Sequence, residues 1–398
     1  MNFPVLQPTS RPTYRSEVSF GCTHCAWLTI CGGNYTATHD CMSYCCGNHE
    51  DCTLCCPKAK GFQEAFRDSD GLDPYRQWDI KQTQELALQS YVPCLQHSSS
   101  RAGTLDIQCV AIPTFVLYSR SNEGEVKYKS ALDLRRKFGL NRDCKIIAST
   151  IGPDPKLENY WKYRHEKGYL SHLARLGLTH IIAPNFSMAS ETVRTDHLAN
   201  RKRSLICAEE FSKIGISVIP YLAAVTEYDW DFWRWFLLEH PDICTVCKEF
   251  QTGGANPERG LWHALQLLKL ARDIGRPLHV VAIAGRTQLP ALRAAGGVTV
   301  IDSNPFSKTM HRRELITGNS WIRVSAKNGR SLTKLLLNNV EHYSAMIDES
   351  FAAQRTPDVR VAVASVSVLE SPQMVLNLRT GKEPEPVRAN LPVSRSAS

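Results

Sequence analysis

Residues 278–302, LHVVAIAGRTQLPALRAAGGVTVID, decide the fold. Two apolar runs, 279–285 and 298–303, flank a stretch with helical spacing at 287–297. Neither run alternates polar with apolar residues. A strand that is apolar throughout is buried on both faces, and strands of that kind pair in parallel under covering helices. Strand, helix and strand in about 25 residues therefore predict a βαβ unit.

The same rhythm extends upstream and downstream. Further strand candidates are 110–118, 145–150, 180–185, 217–225, 242–250 and 321–326. Amphipathic stretches lie between them at 130–140, 158–178, 204–216, 229–241 and 258–275. Eight parallel strands in about 250 residues predict a (β/α)8 TIM-like barrel over 105–350. A doubly wound open sheet is the rival, but no G-x-G-x-x-G follows its first strand.

Around this zone the composition changes. Residues 1–20 are a polar, proline-bearing arm, 21–60 a cysteine-rich module, 61–104 a linker with helical character, and 351–398 a Pro/Ser-rich extension expected to be partly disordered. The chain has 398 residues, 43% apolar and 22% charged, which excludes a disordered or fibrous protein. No run of 18 apolar residues is present, so no spanning helix and no membrane partner are expected. The start lacks the pattern of a secretory leader, so a cytoplasmic, reducing location is expected. A formal charge of +8 permits a nucleic-acid partner.

Nine of the 15 cysteines lie between Cys22 and Cys56: Cys22, Cys25, Cys31, Cys41, Cys45, Cys46, Cys52, Cys55 and Cys56, with His24, His39 and His49 among them. Dense thiols in a reducing compartment predict metal ligation, since a C-x-x-C bite brings two sulfurs to one ion. The closing Cys55-Cys56-Pro57 favours an iron–sulfur cluster; one or two Zn2+ ions, or disulfides, are the alternatives. The radical-enzyme spacing Cys-x3-Cys-x2-Cys is absent. Cys244 and Cys247 fall within a strand on opposite faces and are read as core thiols.

Polar residues close many strands: Asp154, Asn185, Ser187, Glu227, Glu249, Gln251, Asp302 and Asn304. A strand-end Asp or Asn alone is a natural cap of the next helix. Together on one rim of a barrel they predict a site.

Residues 275–315, with the turn Ala282-Ile283-Ala284-Gly285 and the strand Gly297-Val298-Thr299-Val300-Ile301-Asp302-Ser303, resemble the tRNA-guanine transglycosylase superfamily, including relatives from phages and mobile elements that insert deazaguanine into DNA. Gly253 and Gly254, after Phe250-Gln251-Thr252, sit where that family has a Gly-Gly. The middle segment, 180–205 followed by 215–220, is similar to an uncharacterised bacterial and phage domain family. The first resemblance implies a glycosyltransferase exchanging a small deazapurine base in DNA or tRNA, with Asp302 as the nucleophile at C1′. It implies that Gly253, Gly254 and Gly285 admit the base; Asn185, Ser187 and Glu249, from the rim of strand ends, are expected to line its site. Asn185 stands near a base-reading aspartate of the family, and its amide offers both a donor and an acceptor. The family's zinc site follows its nucleophile, whereas here no cysteine follows Cys247.

Phosphate contacts are expected from His311, Arg312 and Arg313 beyond the nucleophile strand, and from Arg201 and Lys202 in a basic helix start that could equally be a solvated face. Trp230, Trp233 and Trp235 are read as helix packing rather than a base-stacking platform. The competing functional reading is a barrel without chemistry whose cysteine module docks nucleic acid or a partner.

Overall fold

β3, Lys145–Ser149, is the centre of a four-stranded sheet in which every pairing is parallel. It pairs with β2, Cys109–Pro113, on one side and β4, His180–Ile182, on the other; β4 pairs with β5, Ser217–Ile219. A second parallel sheet has the order β1, Tyr91–Pro93; β8, Gly296–Asp302; β7, Leu278–Ile283; β6, Thr245–Glu249. This is a computed structural model, and it describes residues 68–83, 89–98, 103–118, 127–188, 194–251, 257–284, 292–325 and 329–352. The arm, the cysteine-rich module, Gly253, Gly254, Gly285 and the C-terminal extension from 353 lie outside the described residues. Contacts divide the chain into Met1–Ala353 and Gln354–Ser398, and all described residues belong to the first unit.

The two sheets touch at both edges. Cys94, just past β1, bridges Ala111 of β2 in parallel, and the Leu95 amide donates to the Ala111 carbonyl at 2.8 Å. At the other seam Tyr221, just past β5, bridges Cys247 of β6; the Cys247 amide donates to Pro220 O at 2.8 Å. Lower on that seam Gln82 acts as a side-chain rung. Its Nε2 donates to Val218 O and Thr245 O, and its Oε1 accepts from the Cys244 and Thr245 amides. One amide side chain thus replaces the ladder that the two strands do not form directly.

Among the described residues eight helices lie between or after the strands. They are α1, Ala131–Phe138; α2, Asp154–Tyr163; α3, Tyr169–Ala174; α4, Arg194–Lys213; α5, Glu227–Glu239; α6, Pro257–Asp273; α7, Asn304–Met310; and α8, Leu332–Ala352. Local chemistry sets their ends. Ser130 caps α1 by accepting from the Asp133 amide, and Gly139 closes it with φ of 63°. A Cβ at Gly139 would sit 2.5 Å from Gly103 O, so this C′ position requires glycine on two counts. Thr226 and Asp229 form a capping box on α5.

Two elements differ from the sequence reading. The run 321–326 is not a parallel strand: β10, Trp321–Arg323, pairs antiparallel with β9, Arg313–Leu315, in a separate ribbon. Its exposed Ile322 and Arg323 are what a surface ribbon tolerates and a doubly covered strand does not. The eighth parallel strand is instead β1, inside the stretch read as linker. Its three residues are too short for a periodic signal, yet all are buried. Among the described residues no helix is long and apolar enough to cross a membrane.

Candidate functional site at the C-terminal strand ends

Asn185, three residues past β4, ties together loops that follow three strands. Its Oδ1 accepts from the Gly152 amide beyond β3 at 2.9 Å, and its Nδ2 donates to Glu249 Oε2 at the end of β6 at 2.7 Å. A donor on one side and an acceptor on the other fix which way the amide points. The same pattern explains why the residue is an amide. An aspartate would set two carboxylates within hydrogen-bond distance of each other.

Glu249 is half-buried. Burial raises the Tyr221 phenol well above its usual range, and the Glu249 carboxylate and Cys247 raise it further. The Cys247 thiol is likewise pushed up, first by burial and then by Glu249. Both groups are therefore protonated at neutral pH. On the neighbouring loop Ser187 donates to Asp154 Oδ1 at 2.6 Å, and Asn200 Nδ2 donates to Ser187 O. Ala284, at the turn the sequence placed after β7, has φ of 59°, a left-handed backbone that costs a non-glycine residue about 1–2 kcal/mol.

Asp302 is arranged differently. The register pairs Glu249 with Ile283 and Ile283 with Ile301. Partners in register share a face, so Asp302, the next residue, faces the other side. That side also carries Tyr91, which pairs with Val300 and packs its ring on Tyr343 of α8. Tyr343 donates to Asp302 Oδ2 at 2.6 Å, and the Asn304 amide donates to Oδ1 at 2.8 Å. The carboxylate expected to join Asn185 and Glu249 is held instead between β8 and α8.

Two other expectations require correction. Arg201 and Lys202 are not surface cations. Arg201 is 0% exposed; it pairs with Asp229 at 2.7 Å and lies over the Phe232 ring. Lys202 is 4% exposed and donates to Asp70 O. The sequence shows a basic run, but their partners lie far along the chain. Arg194 also binds Asp229, with its NH1 at 3.0 Å from Oδ2. Burial alone would raise the Asp229 carboxyl; Arg194 and Arg201 outweigh it and hold the group well below the usual carboxylate range. Cys244 is exposed, so only Cys247 of that pair is a core thiol.

His311 and Arg313 are exposed, and both line a cleft beside α7; Arg312 does not. The tryptophans of α5 are packed: Trp233 donates from its indole to Ala223 O, and Trp235 lies against Phe232. One residue with chemical potential gave no sequence signal. Lys248, next to Glu249, is buried on the helix-facing side and donates to Leu222 O; burial, then the nearby Arg259 charge, lowers its amine to about 8. A single lysine in an apolar run marks nothing until its burial is known. Among the described residues no three His, Cys, Asp or Glu side chains come together as a metal site. No family model matches this chain, and no curated protein matches it either.

Proposed function

We propose that the eight parallel strands close into a (β/α)8 barrel, and that the protein is a nucleobase transglycosylase-like enzyme whose reacting carboxylate is Glu249. Closure is supported by the two parallel bridges, which make each strand in chain order the neighbour of the next and β8 the neighbour of β1. In such barrels the C-terminal strand ends carry the chemistry. The observation that carries the choice of residue is the Asn185–Glu249 hydrogen bond at those ends. It orients the Glu249 carboxylate, and in this reading a carboxylate oxygen attacks a C1′ carbon. A bond forms from that oxygen to C1′ as the C1′–N bond breaks; the base leaves with the electron pair and takes a proton from solvent, and an incoming base reverses the steps. The nucleobase substrate, in DNA or tRNA, rests on the resemblance of 275–315 alone. The nine cysteines from Cys22 to Cys56 are proposed to bind an iron–sulfur cluster or Zn2+, read out by elemental analysis of anaerobically purified chain.

A non-catalytic nucleic-acid-binding barrel is the second reading. It is favoured by the engagement of Asp302, the residue matching the family nucleophile, with Tyr343 and the Asn304 amide. Incubating the full chain with labelled deazaguanine bases and either DNA or tRNA separates the two. Incorporation supports the enzyme; polymer binding without incorporation supports the second reading.

A further inference from the structure

Beside the C-terminal end of β8 lies a cleft of about 490 Å³ lined by Asn304, Ser307, Lys308, His311, Arg313 and Arg323. Among the described residues no acidic side chain lines it. Arg313 and Arg323 are direct cross-strand partners in the β9–β10 ribbon, and both are exposed. Like charges placed opposite each other on an antiparallel pair destabilise it. Elsewhere the chain neutralises such groups. Arg203 pairs with Glu158, Arg164 with Glu210, and Arg330 with Glu314, a residue of β9 itself. Glu314, next to Arg313 on that strand, is engaged by Arg330 and Asn338 rather than by Arg313. Among the described residues Lys308, Arg313 and Arg323 form no ion pair.

The backbone holds this arrangement at a cost. Arg312, between α7 and β9, has φ of 51°, left-handed for a residue with a Cβ. Its amide donates to Thr309 O, and its carbonyl accepts from the Val324 amide. Those two bonds turn the chain sharply, so that His311 on the helix side and Arg313 on the ribbon side face one space. Ser307 and Asn304 add uncharged polar groups. Three unneutralised cations, a histidine and two neutral polar groups around a cleft larger than a single phosphate are the chemistry of a sugar–phosphate backbone.

We propose that this cleft binds consecutive phosphodiesters of a single nucleic-acid strand, with Lys308, Arg313 and Arg323 as the phosphate contacts. The inference rests on the nucleic-acid reading above and extends it by assigning the strand's path. It also replaces Arg312, Arg201 and Lys202 by Lys308 and Arg323 as backbone contacts.

The test uses the full chain and a fluorescent 20-nucleotide single strand, with the dissociation constant measured across a salt series. Arg313→Ala/Arg323→Ala, with and without Lys308→Ala, is compared with Arg142→Ala, an exposed arginine before β3 at the opposite end of the strands. Each cleft cation removed should lower the slope of log K against log salt by about 0.7, and the triple variant should bind at least tenfold more weakly. Arg142→Ala should match wild type. The result that overturns the proposal is an unchanged slope and affinity in the triple variant, or an equal loss with Arg142→Ala. Inorganic phosphate that displaces the strand with only one contact's slope would also overturn it, since that marks a single-phosphate site. Base incorporation separates this proposal from the enzymatic one. Loss of strand binding in the cleft variants, with no incorporation by wild type, sustains the cleft and sinks the enzyme. Incorporation with an unchanged KM in the triple variant does the reverse.

Discussion

Asn185 accepts from a backbone amide and donates to a carboxylate, so its side chain has one orientation and one chemical identity. Asn185→Asp should place two carboxylates in contact and raise one of their pKa values by more than about 1 unit. Carbon-detected NMR titration of the side-chain carboxyls reads this out; two ordinary titrations would contradict it. Asp229 is a different case. It neutralises two buried arginines and accepts from the Val225 and Thr226 amides. Asp229→Asn keeps the shape and strands the two cations, which should cost about 3–5 kcal/mol in urea unfolding. A loss below about 1 kcal/mol would show that the arginines find other partners.

At the scale of elements, what was legible followed burial. β3, β7 and β8 announced themselves because both faces are covered and the whole run is apolar. β1 did not, since three residues carry no period, and the ribbon strand β10 was misread because Trp-Ile-Arg looks apolar in isolation. The amphipathic stretch 158–178 holds most of α2 and all of α3, divided by Gly168 with φ of 62°. Turn glycines differ in what they tolerate, which gives an element-scale prediction. Gly139→Ala must combine a left-handed backbone with a 2.5 Å approach to Gly103 O, whereas Gly215, with φ of 81°, has open space around its Cβ direction. Gly215→Ala should therefore cost about 1–2 kcal/mol from backbone strain alone, and Gly139→Ala distinctly more. Equal losses in thermal unfolding would show that the contact relaxes freely.

For the whole molecule, charge is distributed unlike its sequence pattern. The run at 201–203 is basic on paper and buried in the fold, because Asp229, Asp70 O and Glu158 come to it from other elements. Conversely Lys308 and Arg323, 15 residues apart and in no basic run, meet at one cleft. The site was legible as a rim of strand ends, and Asn185 with Glu249 belongs to it. The place of Asp302 was not, because the end of a strand does not reveal which face its last side chain takes. Buried groups also set the response to acid. Burial, with Arg175 nearby, lowers His172 to about 4, so the folded protein binds fewer protons than the unfolded one between about 6.5 and 4. Glu209 is held at about 2: burial would raise it, but hydrogen bonds from Arg76, the Asp79 amide and Lys213 prevail. Its contribution is present above about 4.5 and lost as pH falls toward 2. Stability should therefore decline in two overlapping stages below about pH 6.5, measured as urea midpoints; a flat profile from pH 6.5 to 3 would contradict the assignments.

The central claim is that Glu249, rather than Asp302, is the reacting carboxylate at the strand ends. Its most direct test is base incorporation by Glu249→Gln beside Asp302→Asn, each checked for an intact fold by circular dichroism. Glu249→Gln should lose on the order of 10³-fold or more in rate, as removal of a nucleophile does, while nucleic-acid binding survives. Asp302→Asn, still able to accept from the Asn304 amide through Oδ1 and to donate from Nδ2 to the Tyr343 hydroxyl oxygen, should lose less than about tenfold. Full activity in Glu249→Gln with activity abolished in Asp302→Asn would contradict the account.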